Sequence, residues 1–344
     1  MENLTHRMTD AALFSLMGFI LAMLITPIYT HFAYKYKFWK RQRSSAVTGE
    51  KLQIFNKLHA KKMERHIPTM AGLIGVIAVI IVTLIFNLDR AQTWLPLAAL
   101  AGGAAIGLID DILNVWGHDM KNAGLRAPVK FAMITALGLF LGWFFYYKLG
   151  HTMLWVPFVG SFNIHWLMIP LFAFAVVASG NAVNISDGLD GLAGGLLSMS
   201  YGAFGLIALV QGRYGLSAFC FTVLGALLAY IWFNVYPARF FMGDVGSFAW
   251  GTSLGVVAML TNSLLLLPVI GILFVVEAGS SVIQIFSKKV FKRKVFISAP
   301  IHHHLEAKGW EETKITMRFW VISAVSAFVG VLLVLMGGGA GGAV

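Results

Sequence analysis

The sequence contains little charge and almost no cysteine. Only 12% of its 344 residues are charged, whereas 58% are hydrophobic, and the mean hydropathy is +0.78. This composition excludes an ordinary soluble domain. Cys220 is the single cysteine and lies in an apolar run. An internal disulfide and a cluster of thiolate metal ligands are therefore excluded as well.

Two common catalytic motifs are also missing. The sequence has no G-x-x-x-x-G-K-[ST] loop for binding phosphates and no H-E-x-x-H motif for binding zinc. ATP hydrolysis and zinc proteolysis therefore lack their usual sequence signatures in this chain.

Apolar runs of about 20 residues, the length of a helix that crosses a bilayer, recur along the whole chain. They predict an all-α integral membrane protein, a single domain over residues 1–344 with about ten transmembrane helices. The run from Ala11 to Ile28 is expected to be the first span, because no small-x-small cleavage site follows it. Residues 337–344 are rich in glycine and are expected to form a flexible tail. The predicted spans are 11–34, 68–87, 94–109, 129–146, 164–183, 193–211, 216–234, 247–261, 264–287 and 315–336.

The basic residues predict an orientation in the membrane. Of the 26 Lys and Arg residues, 22 fall in one alternating set of connecting segments. The positive-inside rule places this set in the cytoplasm and therefore both termini outside. Basic segments beside a membrane favour anionic lipid headgroups or an anionic substrate, and no nucleic acid partner is expected. These segments are 35–66, 110–130, 184–192, 235–246 and 288–318.

Acidic residues gather on the same predicted side, which holds 11 of the 15 carboxylates. Orientation alone does not require this, because acidic residues contribute little to the positive-inside rule. Asp110 and Asp111 stand side by side in "GLIDDIL". Adjacent carboxylates repel unless one is protonated or a cation lies between them, and their hard oxygen atoms suit Mg²⁺. The alternative is a solvated pair that ends a helix.

A second polar cluster is "NAVNISDGLDGLAGG", residues 181–195. Asn181, Asn184, Asp187 and Asp190 recur at intervals of three, among glycines that permit close approach of the backbone. This pattern favours a pocket lined by amide and carboxylate groups. A plain turn between two spans, which is often rich in Asn, Asp and Gly, is the alternative.

Two further clusters follow along the chain. In "NVYPARFFMGDVGSF" Asp244 lies between glycines and after a pair of phenylalanines, so a candidate metal ligand stands near rings that stack on a base. In "APIHHHLEAKGW" the consecutive His302, His303 and His304 cannot all point one way. One or two are expected to reach a phosphate or metal site while another orients the loop, and a solvated loop is the alternative. Together the four clusters suit phosphoryl transfer, which needs Mg²⁺, a base and cations.

These segments resemble the phospho-N-acetylmuramoyl-pentapeptide transferases of bacterial peptidoglycan synthesis, a branch of the polyprenyl-phosphate N-acetylhexosamine-1-phosphate transferases. The resemblance is densest over residues 233–320, in "FNVYPARFFMGDVGS", "FVVEAGSSVIQIF" and "APIHHHLEAKGWEETKITMRFW". It extends to "NAVNISDGLDGLA", "IDD", "GLRAPVK" and "PTMAG". A triple histidine preceded by Ala-Pro looks like the muramoyl branch rather than its N-acetylglucosamine relatives.

The resemblance implies a homodimer of ten-helix subunits in the bacterial inner (cytoplasmic) membrane, with a cytoplasmic active site. It implies transfer of phospho-MurNAc-pentapeptide from UDP-MurNAc-pentapeptide to undecaprenyl phosphate. The products would be lipid I and UMP, and the cofactor would be Mg²⁺.

The resemblance also implies a role for each matching residue. Asp244 and Asp111 would hold Mg²⁺, and Asp110 would deprotonate the lipid phosphate. Lys130 would contact the diphosphate, and His302 and His303 would hold phosphate or sugar groups. The uridine pocket would comprise Gly188, Leu189, Asp190, Asn234 and Phe241, with Phe241 stacked on uracil. The remaining expected substrate contacts are Thr69, Asn181, Asn184, Asp187, Gly243, Gln284 and His304.

One segment departs from the family pattern. Where the family usually reads KRGTPTMGG, residues 64–72 of this chain read ERHIPTMAG. Glu64 in place of the lysine reverses a charge near the expected phosphates, and neither Lys62 nor Arg65 is in register to replace it. The nearest alternative is therefore the same chemistry with another donor, such as UDP-N-acetylglucosamine. An ion-coupled secondary transporter is a more distant one, because nearly all the acids map to the ends of spans rather than to the midplane.

Overall fold

Helices make up nearly all the regular structure. The computed structural model describes residues 2–39, 66–117 and 124–339. Each of the ten predicted apolar segments contains a helix, which confirms the helical class. The helices are α1 (Glu2–Lys35), α2 (Gly72–Phe86), α3 (Trp94–Trp116), α4 (Ala127–Tyr147), α5 (Met168–Ser186), α6 (Leu192–Val210), α7 (Tyr214–Asn234), α8 (Gly243–Leu260), α9 (Leu267–Ile270), α10 (Ile272–Phe291), α11 (Ile301–Ala307) and α12 (Glu312–Met336).

Seven helices in the described ranges are long and apolar enough to cross a membrane. There are eight candidates if α10 and the short helical segment before it form one span, which bends by 84° at Gly271. The two other predicted spans contain α2, with only 15 residues, and α8, which is buried along its whole length. The number of ten spans therefore stays a prediction.

Helix α8 lies at the centre of the fold, and all 18 of its residues are buried. Glycines bring its neighbours into backbone contact. A Cβ atom on Gly107 of α3 would lie 2.1 Å from the carbonyl oxygen of Asp244, and one on Gly251 would lie 2.7 Å from the Cα atom of Gly180 in α5. Lipid supplies little hydrophobic force between helices, so small residues that allow close van der Waals packing hold them together.

The outward faces of the helices are apolar, as contact with lipid requires. Helix α1 exposes Leu13, Leu16, Ile20 and Leu24 along one side. Hydrophobic residues with large exposed fractions also occur on later helices, such as Phe140 at 63%. In water this surface would be an aggregation hazard, whereas hydrocarbon covers it at no cost.

A small β-hairpin interrupts the helical pattern between α4 and α5. Strand β1 (Met153–Val156) pairs antiparallel with β2 (Gly160–Asn163), with Met153 opposite Asn163. The two strands have only four residues each, which is too short for the sequence pattern to predict the hairpin. The prediction of an all-α chain needs this correction.

Helices α3 and α8 extend beyond their predicted ends to include acidic residues. Helix α3 continues to Trp116 rather than ending at 109, and α8 begins at Gly243 rather than at 247. Asp110, Asp111 and Asp244 therefore lie on helices and not in connecting segments. The predicted spans stop short of these acids because charged residues usually lie outside a span. In the structure the acids are buried and belong to the helices.

Some of the expected positions are not described. Glu64, with Lys62 and Arg65, lies outside the described residues, as do residues 340–344 of the glycine-rich tail.

The chain also matches the G-x-S-x-G pattern of serine hydrolases once, at 251–255. Ser253 is buried in the middle of α8 and donates a hydrogen bond to the carbonyl of Pro96 at 3.0 Å. In serine hydrolases the nucleophilic serine of this pattern lies on a strand-to-helix turn, so Ser253 does not have that arrangement.

Candidate active site

Three aspartates are buried where the end of α3 meets the start of α8. Asp110 and Asp111 are 1% and 0% exposed, and Asp244 in the first turn of α8 is 7% exposed. The alternative of a solvated carboxylate pair is therefore wrong. Gly107 lies one turn before the two aspartates on α3, and its contact with the backbone of Asp244 sets this close approach.

Lys130, in the first turn of α4, joins two of these carboxylates. Its Nζ atom lies 2.9 Å from Oδ2 of Asp110 and 2.6 Å from Oδ2 of Asp244. The ammonium also lies 5.2 Å from the ring centroid of Phe248, which is a favourable distance for a cation–π contact. Burial of the two acids is offset by this shared cation, because unpaired charges in a protein interior are costly.

Asp111 holds the start of α8. Its Oδ2 atom accepts the backbone N–H of Val245 at 2.9 Å. A carboxylate at this position interacts favourably with the positive end of the helix dipole. Gly243 has φ +76°, and a Cβ atom there would lie 2.6 Å from Oδ2 of Asp111. Only glycine therefore fits between this carboxylate and the turn that leads into α8.

The carboxylates of Asp110, Asp111 and Asp244 are chemically suitable ligands for a divalent cation. Three carboxylates supply the hard oxygen atoms that Mg²⁺ prefers, and only one ammonium lies among them within the described ranges. No three acidic, imidazole or thiol side chains of the described residues are arranged as a ready metal site. Lys130 instead lies between Asp110 and Asp244, where its ammonium compensates their charge.

The end of α5 lies against the first turns of α8. Asn184 donates a hydrogen bond from Nδ2 to the hydroxyl of Ser247 at 2.9 Å, while Asn181 donates to the carbonyl of Val177 at 2.8 Å within its own helix. Asp187 follows the last residue of α5 and is half-buried. This cluster and the three aspartates thus belong to one region, as the sequence predicts.

Asp190 and Asn234 connect two loops at this end of the molecule. Oδ2 of Asp190 accepts the N–H of Ala238 at 2.9 Å. Oδ1 of Asn234 accepts the N–H of Gly191 at 2.9 Å, and its Nδ2 donates to the carbonyl of Phe240 at 2.7 Å. Both side chains bind the chain's own backbone, so they hold these loops together. Gly188 and the buried Leu189 lie in the same loop.

Phe241 is held beside Thr69 by backbone pairing. The N–H of Phe241 donates to the carbonyl of Pro68 at 2.8 Å, and its carbonyl accepts the N–H of Ala71 at 3.0 Å. The hydroxyl of Tyr29 donates to the carbonyl of Thr69. Thr69 is fully buried, whereas Phe241 is half-buried.

The three histidines point in different directions, as expected. Nδ1 of His302 lies 2.7 Å from Oε2 of Glu277, and Nδ1 of His303 lies 2.7 Å from Oε2 of Glu306. Nδ1 of His304 accepts the N–H of Ile297 at 3.1 Å. Partial burial, followed by the nearby charge of Lys308, lowers the pKa of His304. The three histidines lie on α11, so the alternative of a solvated loop is wrong.

Sequence comparisons agree with this geometry. The profile of glycosyl transferase family 4 matches residues 93–262. A protein of Chloroflexus aggregans called phospho-N-acetylmuramoyl-pentapeptide-transferase is 40% identical, over 97% of this chain and 92% of its own. Proteins of the same name from Listeria welshimeri and Caldanaerobacter subterraneus are 35% and 34% identical, each over 92% of this chain and 96% of its own.

The chain belongs to the phospho-N-acetylmuramoyl-pentapeptide-transferase family. Residues that the family resemblance assigned to one site do meet at one end of this molecule. The contacts that join them run from Lys130 to Asp244, from Ser247 to Asn184, and from the loop at Gly188 to His302.

Two polar residues of α10 have less expected contacts. Gln284, predicted to contact substrate, bonds with both its amide atoms to the backbone at Val295 and Phe296. Glu277 was not among the predicted site residues of this transferase, yet it is fully buried against His302. The signal for Glu277 was a single acid inside a long apolar run, which is costly unless the acid has a partner.

Proposed function

We propose that this protein transfers phospho-MurNAc-pentapeptide from UDP-MurNAc-pentapeptide to undecaprenyl phosphate, giving lipid I and UMP. The names of its relatives support this reaction. The single structural observation that carries the proposal is the placement of Lys130 between Asp110 and Asp244. Phosphoryl transfer requires cationic groups for phosphate oxygens and a base for the nucleophile, and this cluster supplies both.

Asp110 is the proposed base. Two donors hold its carboxylate, since Oδ1 accepts the N–H of Leu125 at 2.6 Å and Oδ2 contacts Lys130. Asp110 takes the proton of the lipid phosphate. The freed oxygen then attacks the phosphorus atom that carries the sugar, a new P–O bond forms, and the diphosphate bond to UMP breaks. Lys130 contacts the diphosphate, whose bridging oxygen gains negative charge in this step.

Asp244 and Asp111 are the proposed Mg²⁺ ligands. Their carboxylates suit this ion, and both lie at the start of α8. When bound, Mg²⁺ neutralises phosphate oxygens and favours departure of UMP. The family pattern and the donor chemistry support this assignment.

The donor nucleotide is proposed to bind at the loops that Asp190 and Asn234 join. Phe241 is half-buried in this region, and its ring is proposed to stack on uracil. His302 and His303 lie on α11, next to the loop at Gly188, and contact phosphate or sugar groups of the donor.

The site is proposed to face the cytoplasm of a bacterium, where UDP-linked donors are made. In this orientation ten helices span the inner membrane, both termini lie outside, and the enzyme forms a homodimer. The distribution of basic residues supports the orientation, since 22 of 26 fall on the side of the site.

The test is release of UMP by the purified protein in detergent with undecaprenyl phosphate, Mg²⁺ and one of two donors. Release from UDP-MurNAc-pentapeptide, dependent on the lipid and lost with EDTA, is the expected result. Release from UDP-N-acetylglucosamine alone would move the chain to the sister branch. If a folded sample releases no UMP from either donor, the proposed reaction is refuted.

A further inference from the structure

A buried polar stripe runs along the inner face of α10. Its members are Glu277, Ser280, Gln284 and Ser287, which recur at intervals of three or four and therefore share one face. The outer face is apolar, with exposed residues such as Phe286. A helix with its polar side turned inward places those polar groups against other parts of the protein.

The stripe holds the chain segment that leads into α11. Oε1 of Gln284 accepts the N–H groups of Val295 and Phe296, both at 3.0 Å, and its Nε2 donates to the carbonyl of Phe296 at 2.9 Å. The hydroxyl of Ser287 donates to the carbonyl of Arg293 at 3.0 Å. Four hydrogen bonds therefore fix the backbone that leads to the three histidines.

Glu277 makes the deepest contact of the stripe. Its Oε2 atom lies 2.7 Å from Nδ1 of His302, and both residues are 0% exposed. A carboxylate on Glu277 only accepts hydrogen bonds, so in that state Nδ1 of His302 carries the proton of this contact. A carboxylate that holds one ring nitrogen in this way fixes both the orientation and the tautomer of the imidazole.

The other ring nitrogen faces the nucleotide loop. A Cβ atom on Gly188 would lie 2.3 Å from Nε2 of His302. This Nε2 atom is buried and makes no hydrogen bond to the residues the structure describes. A buried polar atom without a partner is costly, and its position beside Gly188 in the predicted nucleotide loop makes a polar group of the substrate its candidate partner.

We infer that Glu277 is a positioning residue, which holds Nδ1–H of His302 so that Nε2 points past Gly188 toward a polar group of the donor nucleotide. This inference rests on the proposed function. Glu277 itself does not contact the substrate, and its effect on turnover passes entirely through His302.

The kinetic test uses variants of the full-length protein in the UMP release assay. Glu277→Leu removes the acceptor, and kcat is expected to fall on the order of 10- to 100-fold. Glu277→Gln retains an oxygen that accepts Nδ1–H and is expected to recover much of the loss. Ser280→Ala is the matched control, because in the described part of the chain the hydroxyl of Ser280 bonds only the carbonyl of Glu277, within the same helix. It is expected to retain the rate of the parent protein.

A double variant separates positioning from mere stability. If Glu277 acts through His302, then Glu277→Leu added to His302→Gln lowers kcat no further. Additive losses in the double variant would overturn the inference. So would a loss in Ser280→Ala as large as that in Glu277→Leu, at matched melting temperatures.

The tautomer gives a readout that does not depend on turnover. In protein labelled with ¹⁵N-histidine, the signal that disappears in His302→Gln is expected to show a proton on Nδ1. Glu277→Leu is expected to shift this signal. A proton on Nε2 alone in the parent protein would overturn the inference. If the parent protein makes no lipid I, the proposed function fails, while the labelled sample still decides whether Glu277 holds the ring.

Discussion

Gly107 of α3 packs directly on the backbone of Asp244 in α8, so that a Cβ atom on Gly107 would lie 2.1 Å from the carbonyl oxygen of Asp244. No side chain larger than hydrogen fits at this contact. The next turn of α3 carries Asp110 and Asp111 on the same side, where they meet the first turn of α8. Gly107 is therefore one of the glycines that set the spacing of the carboxylate cluster.

Gly107→Ala is expected to lower both stability and activity. The added methyl group must push α3 away from α8, and overpacking of this kind costs about 1–3 kcal/mol. Thermal unfolding in detergent, followed by circular dichroism, measures the loss. Gly202→Ala is the control, because a Cβ atom there meets only a side-chain carbon of Leu224 at 3.9 Å. Equal melting temperatures for the two variants would contradict this prediction.

Lys130→Met is expected to destabilise the protein and to remove turnover. The change leaves two buried carboxylates without their shared cation, and loss of one partner from a buried ion pair costs about 3–5 kcal/mol. The rate is expected to fall by about 100- to 1,000-fold, as for loss of a single electrostatic contact in an active site. Lys148→Met, which removes an exposed lysine near Trp143, serves as the control. Turnover within tenfold of the parent protein would argue against a catalytic role for Lys130.

The effects of Mg²⁺ on the melting temperature and on turnover are expected to depend on Asp244. Mg²⁺ is expected to raise the melting temperature of the parent protein, since a ligand present at 100 times its Kd stabilises by about 2.7 kcal/mol. Asp244→Asn is expected to lose both this shift and Mg²⁺-dependent turnover. Asp89→Asn, in the loop between α2 and α3, is expected to keep both. A full Mg²⁺ shift in Asp244→Asn would remove Asp244 from the metal site.

Phe241→Ala is expected to weaken binding of the nucleotide donor alone. Stacking of a base on an aromatic ring is worth about 1–3 kcal/mol, so the KM for the UDP donor is expected to rise by about 5- to 150-fold. The KM for undecaprenyl phosphate is expected to stay constant. Phe241→Tyr keeps an aromatic face and is the control. Similar increases in both KM values would indicate a general defect of the site instead.

The candidate site was predictable where the unusual residues are close in sequence. Asp110 and Asp111 stand out because two acids interrupt an apolar run, and the histidines stand out because they are consecutive. Glu277 was missed because its partner His302 lies 25 residues further along the chain. Nothing in the spacing of α10 indicates that contact. The internal roles of Asp190 and Asn234 were hidden for the same reason, since their partners come from other segments.

The sequence by itself determined the helices and the membrane class, because both depend on local composition and on the length of each apolar run. It also predicted a set of candidate site residues, since acids and histidines beside a membrane are costly. The tertiary structure alone decided that Lys130 lies between Asp110 and Asp244, and that Glu277 holds His302. These pairs join residues far apart in the chain. The contacts of Lys130 depend on the close packing of α3 on α8, and the contact of Glu277 depends on the placement of α11 beside α10. No local pattern contains that information.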